Sequence, residues 1–447
     1  MKSKPLREWE RFDVEKLKEV GVDTKTAKRW FEELEDFAKS EKNSPFLAYS
    51  KKGELKVKNY VGIIQTQSGV LEILPKIGSS SDLSEKDLAQ YYTIGENGCF
   101  KRYDKGENNR EDFVESSRKL LVNLLRYLKN APFKNLDHSS LGSKNSSIFE
   151  IFIQMFCEEF DRVYQKGLKR DYVSLEDNRF CVKGKILFGQ QVRYNLVHKE
   201  RFYTASDEFV LDIPENALIK KTLEFLKNKT SLYGVRINTA LQKLEEINSS
   251  FDIEKDFEKC KNISRHFSYY ETILSWCKLF LKGSSFSPFN GDNKAYALLF
   301  PMEKIFEDYV AVMLKKHNPD KIVKIQSSSK YLTQTKNKEN LFCLKPDIII
   351  ENKDANKEVM ILDTKWKIPK GGSDKKYGVS QDDLYQMLAY ATKFKALKTK
   401  LIYPDNPETR KTINNPKLFF KASDCLKFCD EERKIELELV FLPLPFK

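Results

Sequence analysis

No apolar run in these 447 residues approaches the roughly 20 that a membrane-crossing helix needs, and the opening MKSKPLREWERFDVEKLKEV lacks the apolar stretch of a secretory signal. The expectation is a cytoplasmic chain with no membrane partner. Cysteines are few and scattered, eight in all, and the nearest two, Cys425 and Cys429, stand four apart with no second pair to complete a zinc site. Reduced, mostly buried thiols are expected. Also missing is any G-x-x-x-x-G-K-[ST] phosphate loop, which excludes a nucleotide-driven motor of the usual kind. No repeat of fixed period stands out.

What is present suits a globular protein of two or three domains. Hydrophobic residues at 40% and aromatics at 12% supply packed interiors, and charged residues at 32% cover a surface. The net charge of +13 favours contact with a polyanion, because neutralising phosphates releases condensed counterions. Charge alone does not single out nucleic acid.

The first forty residues read as helical, with Trp30, Phe31, Leu34 and Phe37 on one apolar face, so residues 1–50 are expected to be an accessory helical segment. Alternation from Glu54 to Ile77 predicts a hairpin or small sheet. Gly78 to Asp82 and Gly95 to Arg110 read as polar loops. Helical patterns follow at Ser116 to Asn130, Ser147 to Gln165, Glu215 to Lys229 and Val235 to Ile247. Between them Asp177 to Thr204 reads as β-rich, with Lys183, Lys185, Arg193, His198, Lys199 and Arg201 interleaved with aromatics. That stretch is either a phosphate-tracking surface or a solvated strand face over buried aromatics. Another apolar-periodic helix after Ser264 leads to Gly283, where SSFSPFNGDN breaks the pattern; the expected domains are therefore 51–283, α+β, and 284–447.

Beyond the break the order helix, strand, strand, helix, strand suits an α/β core. The helix from Pro301 buries a stripe through Met302, Ile305, Phe306, Tyr309, Val310 and Met313, with Glu307 beside it. Leu341 to Ile350 reads as one doubly buried strand interrupted by Asp347, a carboxylate whose burial requires a cation or donors nearby. The next strand, Glu358 to Trp366, carries Asp363 and Lys365 two apart, hence on one face. Two carboxylates on neighbouring strands suit Mg²⁺ or Mn²⁺, with Asp347, Asp363 and Glu307 as candidate ligands. A lysine beside them can orient or deprotonate a water and offset phosphate charge. The plain alternative is a structural ion pair of Lys365 with Asp347 or Asp363. On the following helix, Asp382 to about Leu397, Gln386 and Tyr390 are four apart on one side, and Tyr385, Leu388, Ala389 and Thr392 form the expected packing face.

At Asp347, Asp363-x-Lys365 and YQMLAYA the sequence resembles the PD-(D/E)xK nuclease superfamily, the helix being similar to the Gln-x-x-x-Tyr extension of RecB-type nucleases. Over most of its length it resembles the McrC family. The segments that carry this are YVGIIQTQSGVLEILPKI, KGKILFGQQVRYNLVHKERFY, DEFVLDIPENALIKKTLEFL, AYALLFPMEKIFEDYVA, KPDIII, LDTKWK and DLYQMLAYA. The resemblance implies a mixed α/β protein with a restriction-endonuclease-like C-terminal core. It also implies a DNA endonuclease subunit of a GTP-dependent restriction complex, acting on double-stranded DNA. Its partner would be an McrB-type AAA+ GTPase hexamer, which the N-terminal region docks onto and stimulates. A non-catalytic adaptor with a degenerate nuclease fold and a free-standing RecB-like nuclease are the alternatives.

Overall fold

A computed structural model of the chain describes residues 2–41, 43–51, 53–77, 85–95, 99–101, 113–128, 132–135, 147–261, 263–282, 296–326, 330–353, 359–369, 377–406, 417–419 and 435–445. Two units divide it, and not in the order expected. Residues 138–291 form one, and both flanks, 2–137 and 292–447, form the other. The break at 283–295 lies outside the described residues.

In the larger unit, strands Ser3–Arg7, Val70–Leu74, Tyr60–Gln65 and Tyr296–Pro301 make a four-stranded sheet in that order. The hairpin expected between Glu54 and Ile77 is there, turning at 66–69 with the Thr66 N–H on the Gly69 carbonyl at 2.9 Å. Its other edge takes Tyr296–Pro301 antiparallel, from Tyr296 opposite Gln65 to Pro301 opposite Tyr60. Gly62 permits this approach: its φ is +132°, and a Cβ there would lie 2.0 Å from the Leu298 carbonyl oxygen.

The first fifty residues are therefore no appendage. Ser3–Arg7 is a sheet strand, where a helix was expected, and it pairs in parallel with Val70–Leu74. Helix Thr24–Lys39 does form, capped by Asp23, which accepts the N–H groups of Lys25 and Thr26. Its buried face is Ala27, Trp30, Phe31, Leu34, Phe37 and Ala38, the expected stripe.

The smaller unit packs helices Ile148–Lys166 and Tyr270–Lys282 through Phe149, Phe152, Phe156, Trp276 and Phe280. A three-stranded sheet orders Asp171–Arg179, Phe202–Val210 and Lys185–Ile186. The β-rich reading of Asp177 to Thr204 fails in its middle, where Phe188–Asn195 is helical. Nor are its aromatics in a core: Phe180 and Phe188 are 68% and 75% exposed. Arg201 covers the Phe180 ring at 4.6 Å, and Tyr194 stacks on Tyr203.

After Pro301 the larger unit continues as helix α1 (Met302–His317), then strands β1 (Lys321–Ile325), β2 (Ile348–Asn352) and β3 (Val359–Thr364), helix α2 (Gln381–Phe394), and strands β4 (Lys398–Pro404), β5 (Lys417–Phe419) and β6 (Glu436–Leu442). The sheet runs β1-β2-β3-β4-β6-β5, antiparallel except for β3, β4 and β6, which are parallel. The single strand expected over Leu341 to Ile350 is two. Asn340–Leu344 pairs with Lys330–Gln334 in a separate ribbon, and Lys345 to Asp347 link it to β2. Pro346, with no N–H to give a ladder, falls in this break. Only Ile348, Ile349 and Ile350 have the double burial; Leu341 and Phe342 are exposed.

Among the six described cysteines, Cys157, Cys260 and Cys277 are buried and Cys99, Cys181 and Cys343 exposed, so the thiols are less uniformly buried than expected. Cys425 and Cys429 lie outside the described residues. No described helix is long and apolar enough to cross a membrane.

Candidate functional site

Asp347 stands immediately before β2, half-buried, rather than within a strand. Its Oδ2 accepts the backbone N–H and the hydroxyl of Thr364, both at 2.8 Å, which ties it across to the end of β3. Asp363, on β3, is buried, and its backbone lies opposite Leu401 of β4 in the parallel ladder. Lys365 lies one residue past that strand, but its N–H still reaches the Ile402 carbonyl at 2.8 Å. The spacing of two accordingly keeps both side chains on one face, with Lys365 Nζ 2.5 Å from Asp363 Oδ2.

Lys365 is thus the charge partner of a carboxylate oxygen buried from solvent. Burial and then the nearby Asp347 carboxylate push the Asp363 pKa up to about 7, against the pull of Lys365. Burial disfavours the Lys365 ammonium, but Asp363, Asp383 and Asp347 outweigh it and hold the pKa above the ordinary lysine value. Lys365 therefore rests here as a cation.

Gln386 and Tyr390 both reach the site. Lys365 donates to Gln386 Oε1 at 2.9 Å, Gln386 Nε2 donates to the Tyr390 hydroxyl at 2.8 Å, and that hydroxyl donates to the Lys345 carbonyl at 3.1 Å. The relay fixes which end of the amide faces the lysine. The face of α2 that packs differs from expectation: Met387, Tyr390, Ala391 and Phe394 are buried, whereas Tyr385 is 61% exposed.

Glu307 is held by Lys304 at 3.0 Å. Burial, then the Asp347 charge, raises its pKa, so it lies within electrostatic reach of the pair. Among the described residues, however, no three His, Cys, Asp or Glu side chains converge as a metal-holding group. The two aspartates are of a kind that can hold a divalent cation: Mg²⁺ commonly uses one or two carboxylates and keeps several waters, and the charges of Asp347 and Asp363 lie near enough to act on one another.

Sequence reasoning missed three neighbours. Thr364 is the unspecified residue of Asp-x-Lys, and its position next to Asp363 was the only signal. Asp383 lies 3.7 Å from Lys365 and 3.0 Å from Lys367, but reads as a first-turn acid behind the N-cap Ser380. Trp366 is buried against Phe306, ring centroids 5.4 Å apart, and its indole N–H donates to Glu8 at 2.8 Å. Glu8 also accepts the Lys76 N–H at 3.0 Å, and Lys76 Nζ donates to the Trp366 carbonyl at 2.7 Å.

A mixed sheet flanked by α1 and α2, with two aspartates, a lysine and a glutamine gathered at one end of its central strands, makes this a mixed α/β protein. The chain belongs to the family described as McrBC 5-methylcytosine restriction system component, whose model matches residues 55–404. Its fold is similar to that in a half-complex from the tetradecameric assembly of Thermococcus gammatolerans McrB AAA+ hexamers with bound McrC. That likeness has a TM-score of 0.65 and 16% identity, and it covers 99% of this chain and 95% of the other. A second match, to the Thermococcus gammatolerans McrBC complex, has a TM-score of 0.45 and 16% identity over 74% of this chain and 90% of the other. No curated protein matches the chain.

Proposed function

We propose that this chain is the DNA-cutting subunit of a GTP-dependent McrBC-type restriction complex, hydrolysing phosphodiester bonds at Asp347, Asp363 and Lys365 with Mg²⁺ or Mn²⁺. The observation that carries the reading is the placement of Lys365 Nζ between Asp363 and Gln386, beside a second aspartate held in place by Thr364. A purely structural ion pair does not account for the second aspartate or the three-membered relay.

Asp347 and Asp363 would hold the cation; Glu307, one oxygen of which is taken by Lys304, would be a further ligand. When bound, such a cation supplies Lewis acidity, lowering the pKa of a water molecule and offsetting charge on the phosphate. The chain's own groups do the rest. Thr364 fixes the rotamer of Asp347. Lys365, held protonated by its surroundings, serves as a positive charge facing the phosphate more readily than as a base. Gln386 aims that ammonium, and Tyr390 keeps Gln386 from turning over.

The partner follows from family membership and from the similar McrC, which is bound to McrB AAA+ hexamers. We place docking and GTPase stimulation on the smaller unit, where the exposed Phe180, Phe188 and Tyr194 are interleaved with Arg193 and Arg201. Aromatics and arginines of this kind anchor protein interfaces. Double-stranded DNA is the substrate.

Reconstitution with an McrB-type hexamer tests both assignments. Asp347→Ala is expected to end DNA cleavage in Mg²⁺ while GTP turnover by the ring stays stimulated, and Phe188→Asp to do the reverse in order, losing stimulation first. Wild-type cutting by folded Asp347→Ala protein refutes the nuclease site. Unchanged stimulation in Phe188→Asp refutes the docking surface.

A further inference from the structure

Asp383 is a buried carboxylate to which the proposed reading gives no task. Its side chain is 8% exposed, at the third residue of α2, where its N–H is taken by the Ser380 hydroxyl at 3.2 Å. One oxygen lies 3.0 Å from Lys367 Nζ and the other 3.7 Å from Lys365 Nζ.

The site contains a conflict that Asp383 resolves. Asp363 Oδ2 carries the Lys365 ammonium at 2.5 Å, and the same carboxylate is one of the two that would bind a divalent cation. Two cations on one buried carboxylate repel strongly where solvent screening is weak. We propose that Asp383 is the second acceptor for Lys365: when a divalent cation occupies Asp363, the ammonium pivots about Gln386 onto Asp383. This makes Asp383 a positioning residue that sets metal affinity. The inference rests on the reading of Asp347 and Asp363 as metal ligands.

The geometry suits such a pivot. The 3.7 Å gap closes to a hydrogen bond with a movement of roughly 1 Å, within the torsional freedom of a four-carbon stem. Gln386 Oε1, oriented through Tyr390 and the Lys345 carbonyl, stays with the ammonium in both positions. Lys367, half-exposed, donates to Oδ2 at 3.0 Å and to Oδ1 at 3.3 Å, and because an ionised carboxylate oxygen accepts more than one donor, Oδ1 can take Lys365 as well. Although burial works against its charge, Asp383 is kept ionised by Ser380, Lys367 and Lys365, so it can receive the lysine at neutral pH. A role confined to capping α2 would need none of these contacts.

Mn²⁺ titration calorimetry on the full chain, with neither partner nor DNA, tests this. Wild type is expected to bind Mn²⁺ in a manner lost in Asp347→Ala. Asp383→Asn is expected to weaken binding by about tenfold, the size of one hydrogen bond to a charged group. Lys365→Met is expected to tighten binding, and adding Asp383→Asn to Lys365→Met to change nothing further. Asp383→Glu, which retains the carboxylate, should remain within a few-fold of wild type and separates loss of charge from loss of fold. If Asp383→Asn leaves affinity unchanged, or weakens it equally in the Lys365→Met background, Asp383 does not act through the lysine and the inference is overturned. If wild type shows no Asp347-dependent binding, the metal-site reading itself falls and takes this inference with it.

Discussion

Replacing Asp363 by asparagine is expected to end DNA cleavage and, in the same protein without metal, to raise its stability. The first effect follows from the proposed site, in which Asp363 is one of the two carboxylates that would hold the cation. Losing several kcal/mol of transition-state charge stabilisation lowers the rate by at least about 10³-fold. The second follows from the pKa. A carboxyl whose folded-state pKa is raised from 3.8 to about 7 binds its proton more tightly when folded, so its ionisation favours unfolding. Asp363 accordingly costs stability progressively as pH rises from about 4 to 7, and asparagine carries no such cost. Thermal melts of metal-free wild type and Asp363→Asn at pH 5, 6, 7 and 8 should show a gap that widens to pH 7 and then levels. A gap that is constant or narrows with pH would mean that the buried charge is well compensated.

Trp366→Ala is expected to be the most destabilising single change near the site. It empties a buried indole from beside Phe306 and removes the donor to Glu8, a carboxylate that is itself buried and pushed up in pKa by that burial. Large-to-small changes of this kind cost about 3–5 kcal/mol, to which the lost hydrogen bond to the buried Glu8 carboxylate adds about 1–3, the Lys76 N–H remaining to it. A fall in Tm on the order of 10 °C should result. Trp366→Phe keeps most of the ring but not the N–H, and so should recover most of the loss. If Trp366→Ala melts with wild type, the clamp of Glu8, Lys76 and Trp366 does not hold this end of the sheet.

What could be read in the chain and what could not divide along one line, the distance over which partners lie. Asp363 and Lys365 are two apart on a strand, and Gln386 and Tyr390 four apart on a helix, so period alone puts each pair on one face, as found. Trp30, Phe31, Leu34 and Phe37 were legible for the same reason. By contrast, nothing local tells Tyr60–Gln65 that its neighbour is Tyr296–Pro301, or Glu8 that it will face Trp366. That is why the first fifty residues read as an accessory and the larger unit as its C-terminal part alone. Asp383 was hidden differently: a first-turn acid after serine has a sufficient local explanation, and its lysine contacts come from the segment that follows β3. The strand over Leu341 to Ile350 failed because apolar density does not distinguish a buried strand from an exposed ribbon leading into one.

The pairing of Tyr60–Gln65 with Tyr296–Pro301 also sets a timetable for the growing chain. Pro301 follows Gln65 by 236 positions, a stretch that includes the whole of the smaller unit. At about 5–20 residues per second of synthesis, the early hairpin waits roughly 10–50 s on the ribosome with one hydrogen-bonding edge unfilled. Open edges of this kind recruit stray strands. The smaller unit can fold in that interval, whereas the larger unit must wait for residues from both sides of it, so it is the last part of the protein to become whole.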